Sequence, residues 1–352
     1  MVVRRPRALA LAVVLAVTSS ASAAARQSAQ LEASYEAAVV AFQTAGDTAQ
    51  AHRLVASWTH QQFETAVARS RRESPQLGRP ASLLHLEIAL ALVETDPDEA
   101  LWQIRLGEQL LESLARAQPA PTEDFVARWS VVASSVFQAR TDVPRARAAL
   151  AFGLASRPRD ARVRQHAGTI EDLASLVAEN DDTGLADRKG TEARRLTLRL
   201  IGRAEREYRE SLAIAPDYAP ARIRLGRLLH RRDRLQDARA ELERARAGVL
   251  PTGERYLLLL FLSATYEALK EPALARAALQ EGVRVAGNQQ GAWLALAQFE
   301  ERSGHPERAR GVIAQGLVHG RRSDTDAWWD YRHGGFDSEG LTWLRRIAGF
   351  LR

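Results

Sequence analysis

The sequence predicts an all-α protein built from stacked helix-turn-helix repeats, that is, a helical solenoid. The main observation is a pattern of small and apolar residues that recurs between residues 219 and 322. The spacing of Ala238, Ala275 and Ala309 along the chain matches the length of two short helices and two turns. Each alanine lies twelve residues after a small residue and four before an apolar one. The small residues are Gly226, Ser263 and Ala297, and the apolar ones are Leu242, Leu279 and Ile313.

Stacking follows from the size of the unit, because a single helical hairpin cannot bury its own apolar face. Small residues are expected where the two helices of a hairpin cross, since only they leave room for the facing backbone. Leu225, Leu262 and Leu296 precede these crossings and are expected to fill the space beside them. Burying each leucine should contribute about 1.5–3 kcal/mol.

The repeated residues resemble the tetratricopeptide repeat family. Its pattern has Trp, Leu-Gly and Tyr in the first helix, and Ala, a large apolar residue, Ala and Pro in and after the second. The last unit carries Trp293, Leu296, Ala297, Ala309, Ile313 and Gly316, and the middle one carries Leu262, Ser263, Tyr266, Ala275, Leu279 and Gly282. An earlier second helix is indicated by Ala204, Tyr208, Ser211 and Pro216. The resemblance implies a right-handed superhelix with a C-terminal capping helix.

The first 25 residues are predicted to be an export signal. Arg4, Arg5 and Arg7 precede ten apolar residues, 8–17, and a small-residue stretch follows up to Ala25. Ten residues are too few for a bilayer core, which needs about 20. We therefore expect a protein that is exported to the periplasm or secreted, and that is not an integral membrane protein.

Composition excludes several classes of site. The chain has no cysteine, which excludes disulfides, thiolate metal sites and a cysteine nucleophile. The net charge is +6, and removal of the three signal arginines leaves +3. This value does not by itself indicate nucleic acid, and we expect none as a partner.

The region 26–180 has a helical but less regular pattern. We interpret it as diverged repeats, with an unrelated helical domain as the alternative. The polar stretch 179–184 is the clearest break in the chain, and the repeat array is assigned to 185–322. Within it, residues 191–213 are expected to form one long helix with ion pairs such as Glu205–Arg209 and Arg206–Glu210.

The tail, 323–352, departs from the repeat pattern. Its final segment has the spacing of an amphipathic helix and is assigned as a cap, because the last repeat would otherwise expose its stacking face. The alternative is that Trp328, Trp329 and Tyr331 form an aromatic docking patch.

A search for catalytic motifs finds none of the phosphate-binding, dinucleotide-binding, nucleophile-elbow or zinc-protease patterns. The eight histidines are scattered, so no cofactor or metal is predicted. One alternative stays open: an enzyme or small-ligand site in the irregular N-terminal half, near Trp58, His60, His85 and Trp102.

The resemblance also implies where a partner would bind, because the concave groove of such arrays is lined by fixed positions of the first helices. In this sequence the groove positions are Ile223, Arg227, His230, Arg231, Leu260, Ala264, Glu267, Leu294, Gln298, Glu301 and Arg302. They form an apolar strip between a basic end and a mixed end, suited to a protein or peptide segment.

The basic end has six arginines and one aspartate between residues 222 and 234, a local charge of +5. Two interpretations are open: a docking site for an acidic partner, or a solvated face whose arginines pair with neighbouring glutamates. The sequence thus favours a non-catalytic scaffold of the bacterial envelope over an enzyme.

Overall fold

The computed structural model describes residues 35–40, 58–73, 78–92, 96–115, 123–140, 142–180 and 188–320, which contain α-helices and no β-strand. The predicted export signal, most of the polar break and the predicted cap with its aromatic residues lie outside these ranges. The chain divides into two compact units, at 1–140 and 141–352.

The first unit is a helical cluster. Beyond the helical residues 35–40, its helices are α1 (His60–Glu73), α2 (Gly78–Leu92), α3 (Pro97–Ala115) and α4 (Glu123–Ala139). Helices α2 and α3 form the main pair, α1 packs on α3, and α4 packs on both α2 and α3. The core contains Tyr35, Phe63, Leu84, Ile88 and Leu106.

The second unit is a row of helical hairpins. Its helices are α5 (Val143–Ser156), α6 (Ala161–Asn180), α7 (Arg188–Ile214), α8 (Ala219–Arg231), α9 (Leu235–Arg246), α10 (Thr252–Ala268), α11 (Pro272–Ala286), α12 (Gln290–Arg302) and α13 (Pro306–His319). The hairpins are α6/α7, α8/α9, α10/α11 and α12/α13, and each second helix also packs on the first helix of the next hairpin. The predicted tetratricopeptide-type architecture is therefore confirmed.

Each crossing pairs a small residue with a large one. A Cβ at Gly226 would lie 2.5 Å from Cγ of Leu242, and a Cβ at Gly168 would lie 2.6 Å from the ring of Tyr208. Ala238 and Ala275 are fully buried, as expected. At these two glycines the crossing leaves no room for a Cβ, and at the others a residue no larger than Ser or Ala occupies the position.

Three of the first helices end in the same way. Asp233, Lys270 and Gly304 have positive φ angles of 58°, 63° and 78°, and each lies seven residues after the small residue of its hairpin. The next amide then donates to a carbonyl five residues back, as in Arg234 N to Leu229 O at 3.0 Å. This is the Schellman arrangement, which ends a helix and satisfies its last carbonyls.

Helix α6 does not end at this position. The seventh residue after Gly168 is Ser175, which is helical, and α6 continues to Asn180. Helix α6 also belongs to the second unit and pairs with α7. The sequence interpretation had placed α6 with the N-terminal region, because the spacing between Gly168 and Ala204 hides their pairing.

Candidate interaction surface

The predicted groove positions all lie on α8, α10 and α12, and α8 packs beside both α6 and α10. Two of the apolar positions of the groove are in the core. Ile223 is 2% exposed and Leu260 is 1% exposed, within one hydrophobic cluster. Gln298 is also buried. These three residues therefore stabilise the stack and are not accessible to a partner in this conformation.

Arg227 and Arg231 bind a carboxylate of α6. Nη1 of Arg227 donates to Oδ2 of Asp172 at 2.8 Å, and Nη1 of Arg231 donates to Oδ1 at 2.5 Å. Arg231 also reaches Ser175 at 3.2 Å and Glu179 at 2.8 Å. Burial lowers the pKa of Arg227 despite the nearby charge of Asp172. The two guanidinium groups therefore join α8 to α6.

Three more arginines of the basic end pair with carboxylates of neighbouring helices. Arg222 pairs with Glu241 at 2.6 Å, and Arg232 and Arg234 both pair with Glu205 of α7. Burial alone would raise the pKa of Glu205, but its hydrogen bond with Arg209 and the adjacent arginine charges lower it below its ordinary value. Five of the six arginines thus pair with acidic residues on other helices. The second interpretation anticipated such pairing but placed it on a solvated face, whereas the side chains of Arg227 and Arg231 are only 8% and 17% exposed.

Seven of the predicted groove positions are at least partly exposed to solvent. They are His230, Arg231, Ala264, Glu267, Leu294, Glu301 and Arg302. Arg302 and Glu267 form a bidentate ion pair, with both N–O distances 2.8 Å, and their side chains are 50% and 35% exposed. Nδ1 of His230 lies 3.2 Å from the hydroxyl of Thr265, and burial lowers the pKa of this histidine. The surface therefore presents both signs of charge beside small and apolar side chains.

The four residues of the alternative N-terminal site lie in one cluster, in which a chain of hydrogen bonds joins His85 to His60 and the two tryptophans make ring contacts. The hydroxyl of Tyr35 lies 2.9 Å from Nε2 of His85, whose Nδ1 lies 2.6 Å from Oε1 of Gln103. Gln103 donates to Glu99 at 2.8 Å, and the other Glu99 oxygen lies 2.5 Å from Nε2 of His60.

Because Oε1 of Gln103 can only accept, Nδ1 of His85 carries the proton, and Nε2 accepts from Tyr35. Burial lowers the pKa of His85 to about 4, so its ring is neutral. Both ring nitrogens form hydrogen bonds, so His85 of α2 connects Tyr35 to Gln103 of α3. Trp102 stacks on His60 with 3.9 Å between ring centroids, and Trp58 contacts Phe63.

Sequence reasoning missed Asp172, Gln103 and Glu99. The first had a detectable signal: the spacing from Ala146 to Gly168 is the same as that from Ala275 to Ala297. That spacing identifies α6 as a first helix and brings Asp172 beside α8. The polar residues of the first unit had no comparable signal, because its helices follow no fixed repeat.

Among the described residues, no group of three or more His, Cys, Asp or Glu is arranged to hold a metal ion. In the same part of the chain, no helix combines the length and the apolar character needed to cross a membrane.

No protein-family model and no curated protein matches the chain. Its fold is similar to that of several solved structures. PilF of Pseudomonas aeruginosa is 17% identical, with 64% of this chain and all of that chain aligned and a TM-score of 0.47. PilW, a type IV pilus biogenesis factor, is 15% identical over 67% and 92% of the two chains, with a TM-score of 0.46. MamA of Desulfovibrio magneticus is 16% identical over 55% and 94%, with a TM-score of 0.40. At these scores the assignment of the fold rests on the helix geometry of this chain itself.

Proposed function

We propose that this protein is a non-catalytic scaffold that holds a segment of another protein against the first helices of its repeat array. The observation that carries the proposal is the row of stacked hairpins, because their first helices leave polar side chains accessible on α8, α10 and α12. Such extended surfaces of stacked repeats are used for binding.

The partner segment in this proposal carries both signs of charge. Five of the six arginines between 222 and 234 already have acidic partners, so an acidic segment would have to displace those carboxylates. The Glu267–Arg302 pair can instead exchange partners, because it is half exposed and an exposed pair contributes only about 0–1 kcal/mol.

The proposed location is the bacterial envelope, with residues 1–25 as a cleaved export signal. Its support is the order of basic, apolar and small residues at the start of the chain. N-terminal sequencing of the protein recovered from the envelope fraction tests it, and a start at residue 1 would contradict it.

The binding proposal is tested with a photo-crosslinking residue in place of Ala264, in the wild-type background and with Arg302→Glu. We expect Arg302→Glu to lower the yield of the crosslinked partner by about tenfold, since a bidentate charged contact contributes about 1.5–3 kcal/mol. The matched control is Arg310→Glu on α13, because Arg310 is also 50% exposed and also pairs with a glutamate. An equal loss in both variants, or in neither, would contradict the proposed surface.

Lack of catalysis is a separate part of the proposal. A hydrolase panel and a metal analysis of the purified protein test it. Turnover that disappears in a variant of His60 or Trp102 would move the function to the first unit.

A further inference from the structure

The α6/α7 hairpin is longer than the other three, and the extra length is located on its connection. Ala238, Ala275 and Ala309 each lie twelve residues after the small residue of their hairpin, whereas Ala204 lies thirty-six residues after Gly168. The first hairpin therefore contains twenty-four additional residues between its two crossing positions.

These residues extend both helices. Helix α6 continues from Gly168 to Asn180, whereas α8, α10 and α12 each end five residues past their small residue. Helix α7 begins at Arg188, sixteen residues before Ala204, and the other second helices begin three residues before their alanine. At about 1.5 Å per residue the extensions are about 10 and 20 Å long. We call residues 174–180 and 188–200 the helical arm.

One side of the arm is attached to the array. Glu179 accepts from Arg231 of α8, and Ser175 of α6 contacts the same guanidinium group. On α7, Thr197 and Leu200 are buried. The opposite side of α7 is left to face solvent.

That opposite side carries a row of arginines. Arg195, Arg199 and Arg206 are exposed, and their spacing of i, i+4 and i+11 places them on one helix face. Within the described ranges none of the three forms an ion pair, and the predicted pair Arg206–Glu210 does not form, although Glu205–Arg209 does, at 2.8 Å. Two like charges at i and i+4 repel each other, so the row is unfavourable for the isolated protein. An anionic partner would relieve this repulsion.

Apolar side chains lie beside the arginine row. Leu198 is 59% exposed and Leu196 is 42% exposed, on either flank of the row, and Val177 on α6 is 46% exposed. The outer face of α7 therefore presents exposed arginines edged with aliphatic side chains. A bilayer has the complementary properties, because its headgroups are anionic and its interface accepts leucine.

We propose that the helical arm, together with the adjoining part of α7 as far as Arg206, binds the surface of an anionic phospholipid bilayer. Arg195, Arg199 and Arg206 would lie at the headgroups, and Leu196 and Leu198 at the interface. The proposal does not depend on the peptide groove, because the two surfaces lie on different helices. Binding of this kind is peripheral and weakens with salt, which screens the headgroup charges.

The test is co-sedimentation of the full chain with vesicles of phosphatidylcholine, with and without phosphatidylglycerol. We expect binding to the anionic vesicles only. Replacing all three arginines by glutamine should lower the partition coefficient about a hundredfold, since each charge near an anionic surface contributes about fivefold. Leu196→Ala with Leu198→Ala should lower it further while leaving its dependence on salt unchanged.

The matched control replaces Arg244, Arg246 and Arg310 by glutamine. These arginines lie on α9 and α13, and their side chains are 62%, 44% and 50% exposed. Their replacement removes the same net charge as the replacement of Arg195, Arg199 and Arg206. The control should bind as the wild type does, and circular dichroism should show equal helicity in all variants. Failure of the wild type to bind anionic vesicles would overturn the proposal, as would an equal loss in the control. Retention on polyglutamate beads without vesicle binding would assign the arm to an acidic protein and would also overturn it.

Discussion

At the scale of single residues, three helix contacts of the array pair a glycine with a large side chain. Gly226 faces Leu242, Gly168 faces Tyr208, and Gly316 faces Trp293, at distances that leave no room for a Cβ. In the first two contacts the glycine is on the first helix, and in the third it is on the second. The requirement is therefore for a close approach of helices, and either helix can supply the small residue.

Gly226→Ala should destabilise the second unit by about 1–3 kcal/mol, because the new methyl would overlap the buried side chain of Leu242. The control is Gly202→Ala in α7, where nothing lies within 4 Å of the new methyl. That change should stabilise the protein by about 0.5–1 kcal/mol, since alanine is the better helix former. Urea denaturation measures both, and a change of the same sign in the two variants would contradict the packing argument.

His85 should make the first unit sensitive to acid. Its pKa is about 4 in the folded protein, against about 6.5 unfolded. The unfolded chain therefore binds the proton first, and stability that is complete above pH 6.5 is lost as the pH falls towards 4. The loss should reach about 3 kcal/mol.

Hydrogen exchange of α2 and α3 as a function of pH measures this loss. His85→Gln should make the stability of α2 and α3 nearly independent of pH between about 4 and about 6.5. His319→Gln, at an exposed position of α13, should leave it unchanged. An identical profile in wild type and His85→Gln would show that this histidine does not govern the acid response.

At the scale of helices, adjacent first helices are joined by buried charge as well as by apolar contact. Asp172 is 3% exposed and accepts from two arginines of α8, and Arg227 is 8% exposed. The same guanidinium group lies 5.8 Å from the ring centroid of Phe261 on α10. Arg227 therefore links three first helices, its own included, which gives the row a defined register.

Asp172→Ala should destabilise the α6/α8 contact by about 3–5 kcal/mol, because it leaves the buried charge of Arg227 without its partner. The control, Asp237→Ala, removes a 56% exposed carboxylate that pairs with Arg234. It should cost about 1 kcal/mol or less. Thermal denaturation of both variants tests the difference, and equal midpoints would show that the buried pair is not needed.

At the scale of the whole molecule, the last hairpin has a partly open stacking face. Leu242 and Leu279 are 0% and 5% exposed, whereas the equivalent Ile313 is only half-buried. On the same helix Leu317 is 53% exposed and Val318 is 78% exposed. The predicted cap, residues 323–352, is the segment of this chain that follows directly.

Removal of residues 321–352 should therefore lower the melting temperature and cause self-association, because the open face of α13 would pair with a second copy. Sedimentation velocity measures the association. In the shortened chain, Ile313→Ser should restore the monomer. A shortened protein that stays monomeric with an unchanged melting temperature would favour the aromatic docking patch as the role of the tail.

The repeat, its hairpins and the crossing residues could be predicted because they follow from local spacing. Twelve residues separate Gly226 from Ala238 whatever the rest of the chain does, and the steric requirement at a crossing acts within one hairpin. In the α6/α7 hairpin only the second helix was recognised from the sequence, because additional residues between the two helices break that spacing. The sequence could not separate the accessible groove positions from the buried ones, because Ile223 and Leu260 occupy groove positions of the repeat but pack into the stack.

Two basic stretches show most clearly which properties follow from the sequence and which depend on the packing of the helices. Residues 222–234 and the outer face of α7 have similar compositions, and the pattern of residues in each indicates a positively charged helix. The fold brings Asp172, Glu205 and Glu241 to the first stretch, whereas among the described residues Arg195, Arg199 and Arg206 form no ion pair. Helix formation depends on neighbours within one or two turns, whereas the charge of a surface depends on partners such as Asp172 and Arg227, 55 residues apart. Only the packing of the helices decides which arginines are free to meet a partner.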